Sequence, residues 1–336
     1  MMRMGGLRVL AGVAVMSFFV GGVAGCGSSL SAQYTNPVYP KDFPDPFVFK
    51  DGKTFYAYAT NTEQGGNTPL LESRDLVHWK YKGEAFPVTP RWLDRDIWAP
   101  TVARVAGGSY VEYYAAHDPT PNVQCIGVAT ARSPAGPFVD RSAKPKLCQR
   151  GGGGDIDPDL FRDTDGTLYL YFKNDGNCCG LLTYLWAQKL APNGTTFVGK
   201  PVRLIYNDES WSGPVAEAPF MWKRGGRYYL FYSGAAWDSV SYAVGYAACK
   251  GPMGPCKDAP ENPIFQYHQG CRAAGPGGET LVRDSKGQDW MLYHAWPANA
   301  INRDTPGREL WLDRLDWVDE RPVVEGPTCT SQADPK

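Results

Sequence analysis

One pattern, written five times along the chain, restricts the fold more than any other feature. Each copy has a proline, a short apolar run, a glycine-containing turn and a tyrosine-rich apolar run. The copies read DPFVFKDGKTFYAYAT from Asp45, APTVARVAGGSYVEYYAA from Ala99, DPDLFRDTDGTLYLYFK from Asp157, APFMWKRGGRYYLFYSG from Ala218 and PGGETLVRDSKGQDWMLYHA from Pro276. Their leading prolines, Pro46, Pro100, Pro158, Pro219 and Pro276, stand 54, 58, 61 and 57 residues apart. The second runs end near Tyr58, Tyr114, Tyr171, Tyr232 and Tyr293, at 12, 14, 13, 13 and 17 residues beyond those prolines, so only the last copy is stretched. Each copy reads as a β-hairpin whose DG, GG, TDG, RGG or SKG turn supplies the positive φ that tight reversal needs.

Further strand signals follow each hairpin, such as IGVATARSP in the second repeat and AVGYAACKGP in the fourth, which makes roughly four strands per repeat. A sheet of that size cannot cover its own faces. Five of them predict radial stacking into an all-β, five-bladed β-propeller of about four antiparallel strands per blade, a single domain over residues 36–325. A parallel β-helix repeats at much shorter intervals, a sandwich has no reason to repeat at this one, and no long 3.6-residue periodicity marks a helical domain. The 38 Gly, 28 Pro, 19 Tyr and 11 Trp suit short strands and tight turns. Lys and Arg number 34 against 35 Asp and Glu, a net charge of −1, so no basic surplus exists to neutralise nucleic-acid phosphates. No P-loop or GxGxxG sequence is present to cradle a nucleotide.

Arg3 and Arg8 precede an apolar run from Val9 to Gly25, too short and glycine-rich for a comfortable membrane span, and read as a secretory signal. The run ends Val23-Ala24-Gly25-Cys26, which resembles the lipobox of bacterial lipoproteins. Residues 1–25 are then a lipoprotein signal peptide and 26–35 a lipidated Cys26 with its tether. The protein would be exported and held on a membrane only through its acyl chains, facing away from the cytoplasm. The alternative is an ordinary cleavage site beside a bystander Cys26. Setting Cys26 aside leaves eight cysteines, an even number that fits a disulfide framework in an exported chain. Cys249 and Cys256 flank a Gly-Pro-rich turn and Cys125 and Cys148 bracket one connection, so these are the expected pairs. Cys271 with Cys329 would staple the C-terminal tail, residues 326–336, to the body, but it leaves the adjacent Cys178 and Cys179 to a strained mutual bridge. The full connectivity stays open. Zinc ligation by Cys178 and Cys179 is the weaker reading, because their spacing is not C-x-x-C.

In a propeller every first strand runs the same way beside the central channel, so the starts of the repeats gather at one mouth. There the repeats present Asp45, Trp98-Ala99, Asp157, Glu217-Ala218 and Gly275-Pro276. A single Asp-Pro is usually a turn former. Three carboxylates from different repeats converging on one place raise a pKa and cost stability unless they act. Two carboxyl groups across a sugar can hydrolyse a glycosidic bond, at about 5 Å apart with retention or about 6.5 to 9.5 Å apart with inversion.

The segments FPDPFV (Phe43 to Val48), IDPDLFRDTDGTLYL (Ile156 to Leu170) and AEAPFMWKRGGRYYLFYS (Ala216 to Ser233) resemble the three signature blocks of glycoside hydrolase family 43, in order and spacing. The resemblance covers residues 36–325. It implies a five-bladed propeller with inverting chemistry, in which Asp45 is the general base, Glu217 the general acid and Asp157 the residue that tunes the acid's pKa and holds substrate. Arg308, in GREL, matches the arginine the family uses near the catalytic sugar. The implied substrates are α-L-arabinofuranosides, arabinan or β-D-xylosides, and no cofactor is required. The family often has a histidine after the Gly-Pro-Gly of the last blade that helps hold a central calcium ion or water. Gly278 stands in that place here. His294, in MLYHAW, matches another family histidine, and equally reads as a hydrogen-bonded core residue. Trp98, in DIWAP, is the first candidate to stack on a sugar face, with Phe43 and Asp96 as neighbours. Trp211 and Trp237 flank the expected acid and read equally as buried propeller residues, while Asp163 and Asp165 belong to a hairpin turn. A monomer acting on a polysaccharide or oligosaccharide is expected. Two rivals stand beside it: a non-catalytic propeller that binds surface glycan, and a retaining fructan-cleaving propeller, whose Asn-Asp-Pro-Asn block is missing.

Overall fold

The apolar runs of each repeat form the hairpins their turns require. A computed structural model describes residues 1–2, 32–62 and 66–336, of which Ala32–Lys336 form one folded unit. The expected signal peptide, the lipidation at Cys26 and most of the tether fall within residues 3–31, outside the described residues. No α-helix occurs among the described residues, only three single turns of 3-10 helix.

The strands make five antiparallel blades around a common axis. Blade 1 runs Phe47–Asp51, Thr54–Tyr58, Pro69–Ser73 and Lys80–Glu84, and blade 2 runs Arg95–Arg104, Tyr110–Asp118 and Val123–Ala131. Blade 3 is Asp155–Arg162, Leu168–Asn174, Tyr184–Leu190 and Phe197–Tyr206, and blade 4 is Ala216–Arg224, Arg227–Gly234, Ala243–Cys249 and Cys256–Asp258. Blade 5 takes Ala273–Arg283, Asp289–Pro297 and Glu309–Val318 from its own repeat and its outer strand, Tyr39–Asp42, from the N-terminal segment. The first strand of each blade lies against the first strand of the next, and the fifth returns to the first.

Blade 2 departs from the four-strand expectation. The stretch after Ala131 holds Pro134, Pro137 and Pro145, which cannot donate to a ladder, and isolated bridges from Val139 to Thr130, from Leu147 to Ile126 and from Gly154 to Gln124 cover its outer edge. Ring closure also differs from a simple repeat, because the chain start completes the last blade. Asn36 locks it: its Nδ2 donates to Leu312 O at 2.8 Å while Leu312 N–H donates to its Oδ1 at 2.9 Å. Gln33–Tyr34 then pairs with Gln332–Ala333, so residues from the expected tether and the expected tail form a two-stranded ladder.

The repeat tyrosines explain themselves in the packing. Tyr58, Tyr114, Tyr171, Tyr232 and Tyr293 are all buried. Each ring fills the space between blades, and each hydroxyl donates at 2.5–2.7 Å, respectively to Pro134 O, Asp140 Oδ2, Pro252 O, Asp258 Oδ1 and Asp313 Oδ2. A buried Tyr needs that partner, since an unpaired hydroxyl would lose most of what ring burial gains.

The eight described cysteines pair as Cys125–Cys148, Cys178–Cys179, Cys249–Cys256 and Cys271–Cys329. This settles the open connectivity, including the vicinal pair. Cys271–Cys329 closes a loop of sequence separation 58 and ties the tail to blade 5. Replacing both its cysteines by serine is expected to cost about 2–4 kcal/mol, through the freedom regained by the unfolded chain. Urea unfolding without reductant measures it.

Candidate active site

The residue before each repeat proline bends the backbone the same way. Asp45, Ala99, Asp157, Ala218 and Gly275 have φ of +50°, +45°, +52°, +49° and +57°, a region that four of these five side chains rarely adopt. In blades 2 to 5 the ladder between the first two strands slips at this point. The bulge turns the strand starts toward the channel, where they line a cleft of about 480 Å³. Asp45, Asp157 and Glu217 all line it, so the three carboxylates do converge.

Asp45 is held from blades 1 and 5. Arg308 donates to its Oδ1 at 3.0 Å and the Thr60 hydroxyl to its Oδ2 at 2.6 Å. Thr60 Oγ1 also accepts Ala99 N–H of blade 2 at 2.9 Å, which fixes the hydroxyl's direction. The Arg308 guanidinium lies over Trp237, 4.7 Å from the ring centroid, and Trp237 stacks on Trp296. Behind Asp45, His294 Nδ1 accepts the Asp45 backbone N–H at 3.0 Å. Burial first, and the charge of Arg308 second, push the His294 pKa well below its ordinary value. The imidazole is therefore neutral, and its 3.4 Å approach to Asp45 Oδ1 is no ion pair.

Glu217 is held from blades 3 and 4. Lys173 donates to its Oε2 at 2.8 Å and the Tyr242 hydroxyl to its Oε1 at 2.8 Å. Lys173 is fully buried, with Asp175 Oδ1 at 3.7 Å, and the charges of Glu217, Asp157 and Asp175 outweigh desolvation and raise its pKa. It is a cation placed to offset several anions. Asp157 Oδ2 accepts Ala218 N–H at 2.9 Å. Its pKa is raised by burial first and then by the negative charge of Glu217. Burial and the nearby Glu217 charge therefore favour a proton on Asp157 near neutrality.

Asp96, Trp98, Arg308 and Trp237 line the cleft as expected of sugar contacts. Phe43 does not. It is 1% exposed, packs edge-on to Tyr39 and gives its N–H to Arg308 O, so it supports Arg308 from the core. His294, 0% exposed, is likewise no substrate contact but a support for Asp45. Trp211 packs on Tyr232 rather than in the cleft, and Asp163 pairs with Lys223 and Tyr228 near its hairpin turn. The sequence reading missed Thr60, Lys173 and Tyr242. Lys173 had a signal, a lone cation inside the apolar run LYLYFKN.

The cleft floor carries two more acids, Asp159 and Glu279, each with one buried oxygen lacking a hydrogen-bond partner. Burial raises their pKa to about 7 and about 8. A calcium ion held through a histidine at position 278 does not fit this channel: a Cβ on Gly278 would lie 2.6 Å from His294 Nδ1. Among the described residues the one trio of acids within reach of a common ion is Asp208, Glu209 and Asp258, outside the cleft.

Comparison with known proteins places this geometry. Residues 34–322 match the model of glycosyl hydrolases family 43. The chain is 27% identical over 308 residues to a xylosidase/arabinosidase of Butyrivibrio fibrisolvens, covering 86% of this chain and 56% of that one. It is 29% identical over 298 residues to the β-D-galactofuranosidase xynD of Aspergillus niger, covering 83% and 81%. It is also 27% identical over 318 residues to the extracellular exo-α-(1→5)-L-arabinofuranosidase ArbA of Cellvibrio japonicus, covering 83% and 85%. The crystal structure of a thermostable family-43 glycoside hydrolase superposes with a TM-score of 0.81 at 30% identity, over 90% of this chain and 99% of that one.

Two expectations follow from the charges. Lys173→Met leaves Glu217 and Asp157 without their cation and is expected to cost about 3 kcal/mol or more at pH 7. The loss shrinks on acidification, as Asp157 and Asp175, whose pKa burial raises, take up protons, and urea unfolding at pH 5 and 7 reads it. Glu279 has a folded pKa of about 8 against 4.5 unfolded, so between these values the folded chain keeps a proton that the unfolded chain has released. Its contribution to stability therefore falls as pH rises through that window. Glu279→Gln removes the slope, and its stability relative to the parent should rise from pH 5 to 8 by on the order of 3 kcal/mol.

Proposed function

The chain belongs to glycosyl hydrolases family 43 and is on that ground a glycosidase, and from this premise we propose that it hydrolyses α-L-arabinofuranosyl linkages of pentose-containing polysaccharide with inversion. The observation that carries the reading is the pairing of two carboxyl groups held by separate sets of donors. Asp45 has Arg308 and Thr60; Glu217 has Lys173 and Tyr242. In the proposed step a water oxygen attacks the anomeric carbon and loses its proton to Asp45. The bond to the leaving oxygen breaks as Glu217 protonates that oxygen. Both groups return to their starting state by exchange with solvent. Asp157, beside Glu217, modulates the proposed acid and faces the sugar, while Trp98 and Trp237 line the cleft around it.

The activities for which the Butyrivibrio and Cellvibrio relatives are named support an arabinofuranosyl substrate, and the first of them equally supports a xyloside as the second reading. Four disulfides support an oxidising compartment, in keeping with export and with an acyl anchor on Cys26.

The chain lacking residues 1–26 is expected to release pentose from arabinan, arabinoxylan or aryl pentosides. Asp45→Asn and Glu217→Gln should each lose about a hundredfold or more while keeping their fold. Proton NMR of the fresh product reads the anomeric configuration. Binding of these glycans without cleavage would turn the reading to a glycan-binding propeller.

A further inference from the structure

The catalytic step leaves the Cys178–Cys179 disulfide without a task, although it stands at the rim of the cleft. Cys178 lines the same cavity as Glu217, Lys173, Asp175 and Asn177. Both cysteines are exposed, whereas the other six described cysteines are buried or half-buried. Their sequence separation of 1 means that the bridge ties no distant segments, so closure of the unfolded chain does not account for it. What it does create is a small surface of two sulfur atoms, polarisable and without a hydrogen-bond donor.

The chain holds that surface in one place. Strand Leu168–Asn174 leads directly into the turn Gly176–Cys179. Asn174 Nδ2 donates to Gly152 O and Leu182 O, both at 3.0 Å, and Asp175 N–H donates to Gly154 O at 3.0 Å. The run Gly151–Gly154 lies beneath it: a Cβ on Gly153 would sit 2.3 Å from Asp175 O and 3.1 Å from Cys178 Sγ. No larger residue fits there without moving the turn. Beyond it the apolar surface continues through Leu181 and Leu182, 47% and 48% exposed. Exposed apolar groups gathered beside a polar catalytic cleft mark a contact surface for ligand.

The direction follows from the same strand. Lys173, five residues before Cys178, binds Glu217, the proposed donor to the leaving oxygen, whereas Asp45 is held from the other side by blades 1 and 5. We propose that the Cys178–Cys179 disulfide is the platform of a leaving-side sugar subsite, on which the C–H face of the sugar beyond the scissile bond rests. The inference builds on the glycosidase reading above. It makes the enzyme prefer a carbohydrate leaving group that can lie flat on the sulfur pair.

The test compares 4-nitrophenyl α-L-arabinofuranoside and β-D-xyloside with α-1,5-arabinotriose and β-1,4-xylotriose, in the parent and two variants. In the double variant Cys178→Ser with Cys179→Ser, kcat/KM on the trisaccharide should fall about tenfold further than on the aryl glycoside, with KM carrying the change. Asn177→Arg keeps the disulfide, obstructs the same surface and should shift the ratio the same way. It decides the matter if the serine variant does not melt as a folded protein. Equal losses on both substrates, or none, in the folded variants would overturn the subsite while leaving the glycosidase reading intact. A parent that cleaves none of the four substrates would overturn that reading and the subsite with it.

Discussion

A propeller leaves the inner strand of every blade with backbone N–H groups that no strand of its own sheet can satisfy, and in this chain side chains of the preceding blade accept them. Ala99 N–H goes to Thr60, Leu160 N–H to Thr101, Met221 N–H to Asp159, Gly278 N–H to Ser233 and Val48 N–H to Thr280. Each junction of the ring has one such bond. Buried amides must be paired, so these five acceptors set the spacing between blades as firmly as the apolar packing behind them. Two of the junctions carry a second bond of the same kind, Ala218 N–H donating to Asp157 and Asp45 N–H to His294. Asp157, through its carboxylate, and Asp45, through its backbone, are thus parts of the joints. Moving one of them moves a blade contact, and this gives the site its rigidity.

The same economy governs the charges. Asp157, Asp159 and Glu279 are acids whose pKa burial raises, and Lys173 is the buried cation beside the first of them. A cation at 2.8 Å from Glu217 and within reach of Asp175 keeps the acid side of the cleft from accumulating negative charge. On the other side Arg308 does this for Asp45, from a mostly buried position in the cleft lining beside Trp237 and Trp296. Both cations line the cleft, Lys173 at 0% exposure and Arg308 at 13%, so each carboxylate side has its own largely desolvated positive charge.

Much of this was legible in the sequence because a repeat is a global signal. The interval between Pro46, Pro100, Pro158, Pro219 and Pro276 predicts blades without reference to any single strand, and the position before each proline, or one residue earlier for Glu217, brings Asp45, Asp157 and Glu217 to one mouth. What escaped depends on contacts between segments far apart in the chain. Phe43 sits two residues from Asp45 yet faces the core, because both lie between strands, where the positive φ of Asp45 turns the chain and Arg308 O takes the Phe43 N–H. Thr60 and Tyr242 stand in no motif, and their roles exist only once blades 1 and 2, and the two sides of blade 4, are folded together. The outer strand of blade 5 comes from Tyr39–Asp42, before the first repeat, so no periodicity could place it there.

The cleft exists because the repeat is imperfect. Five equivalent positions share one left-handed backbone conformation, and the four of them that carry a side chain line the cleft. Were all five aspartates, their mutual repulsion and desolvation would fill and destabilise the channel. Were all five alanines, the channel would be an apolar hole. Aspartate in blades 1 and 3, with alanine in blades 2 and 4 and glycine in blade 5, puts charge at two points and leaves space between them. Glu217, one residue earlier on blade 4, then reaches into that space from a neighbouring position and finds Lys173 there. Structural equivalence supplies the frame, and the departures from equivalence supply the site.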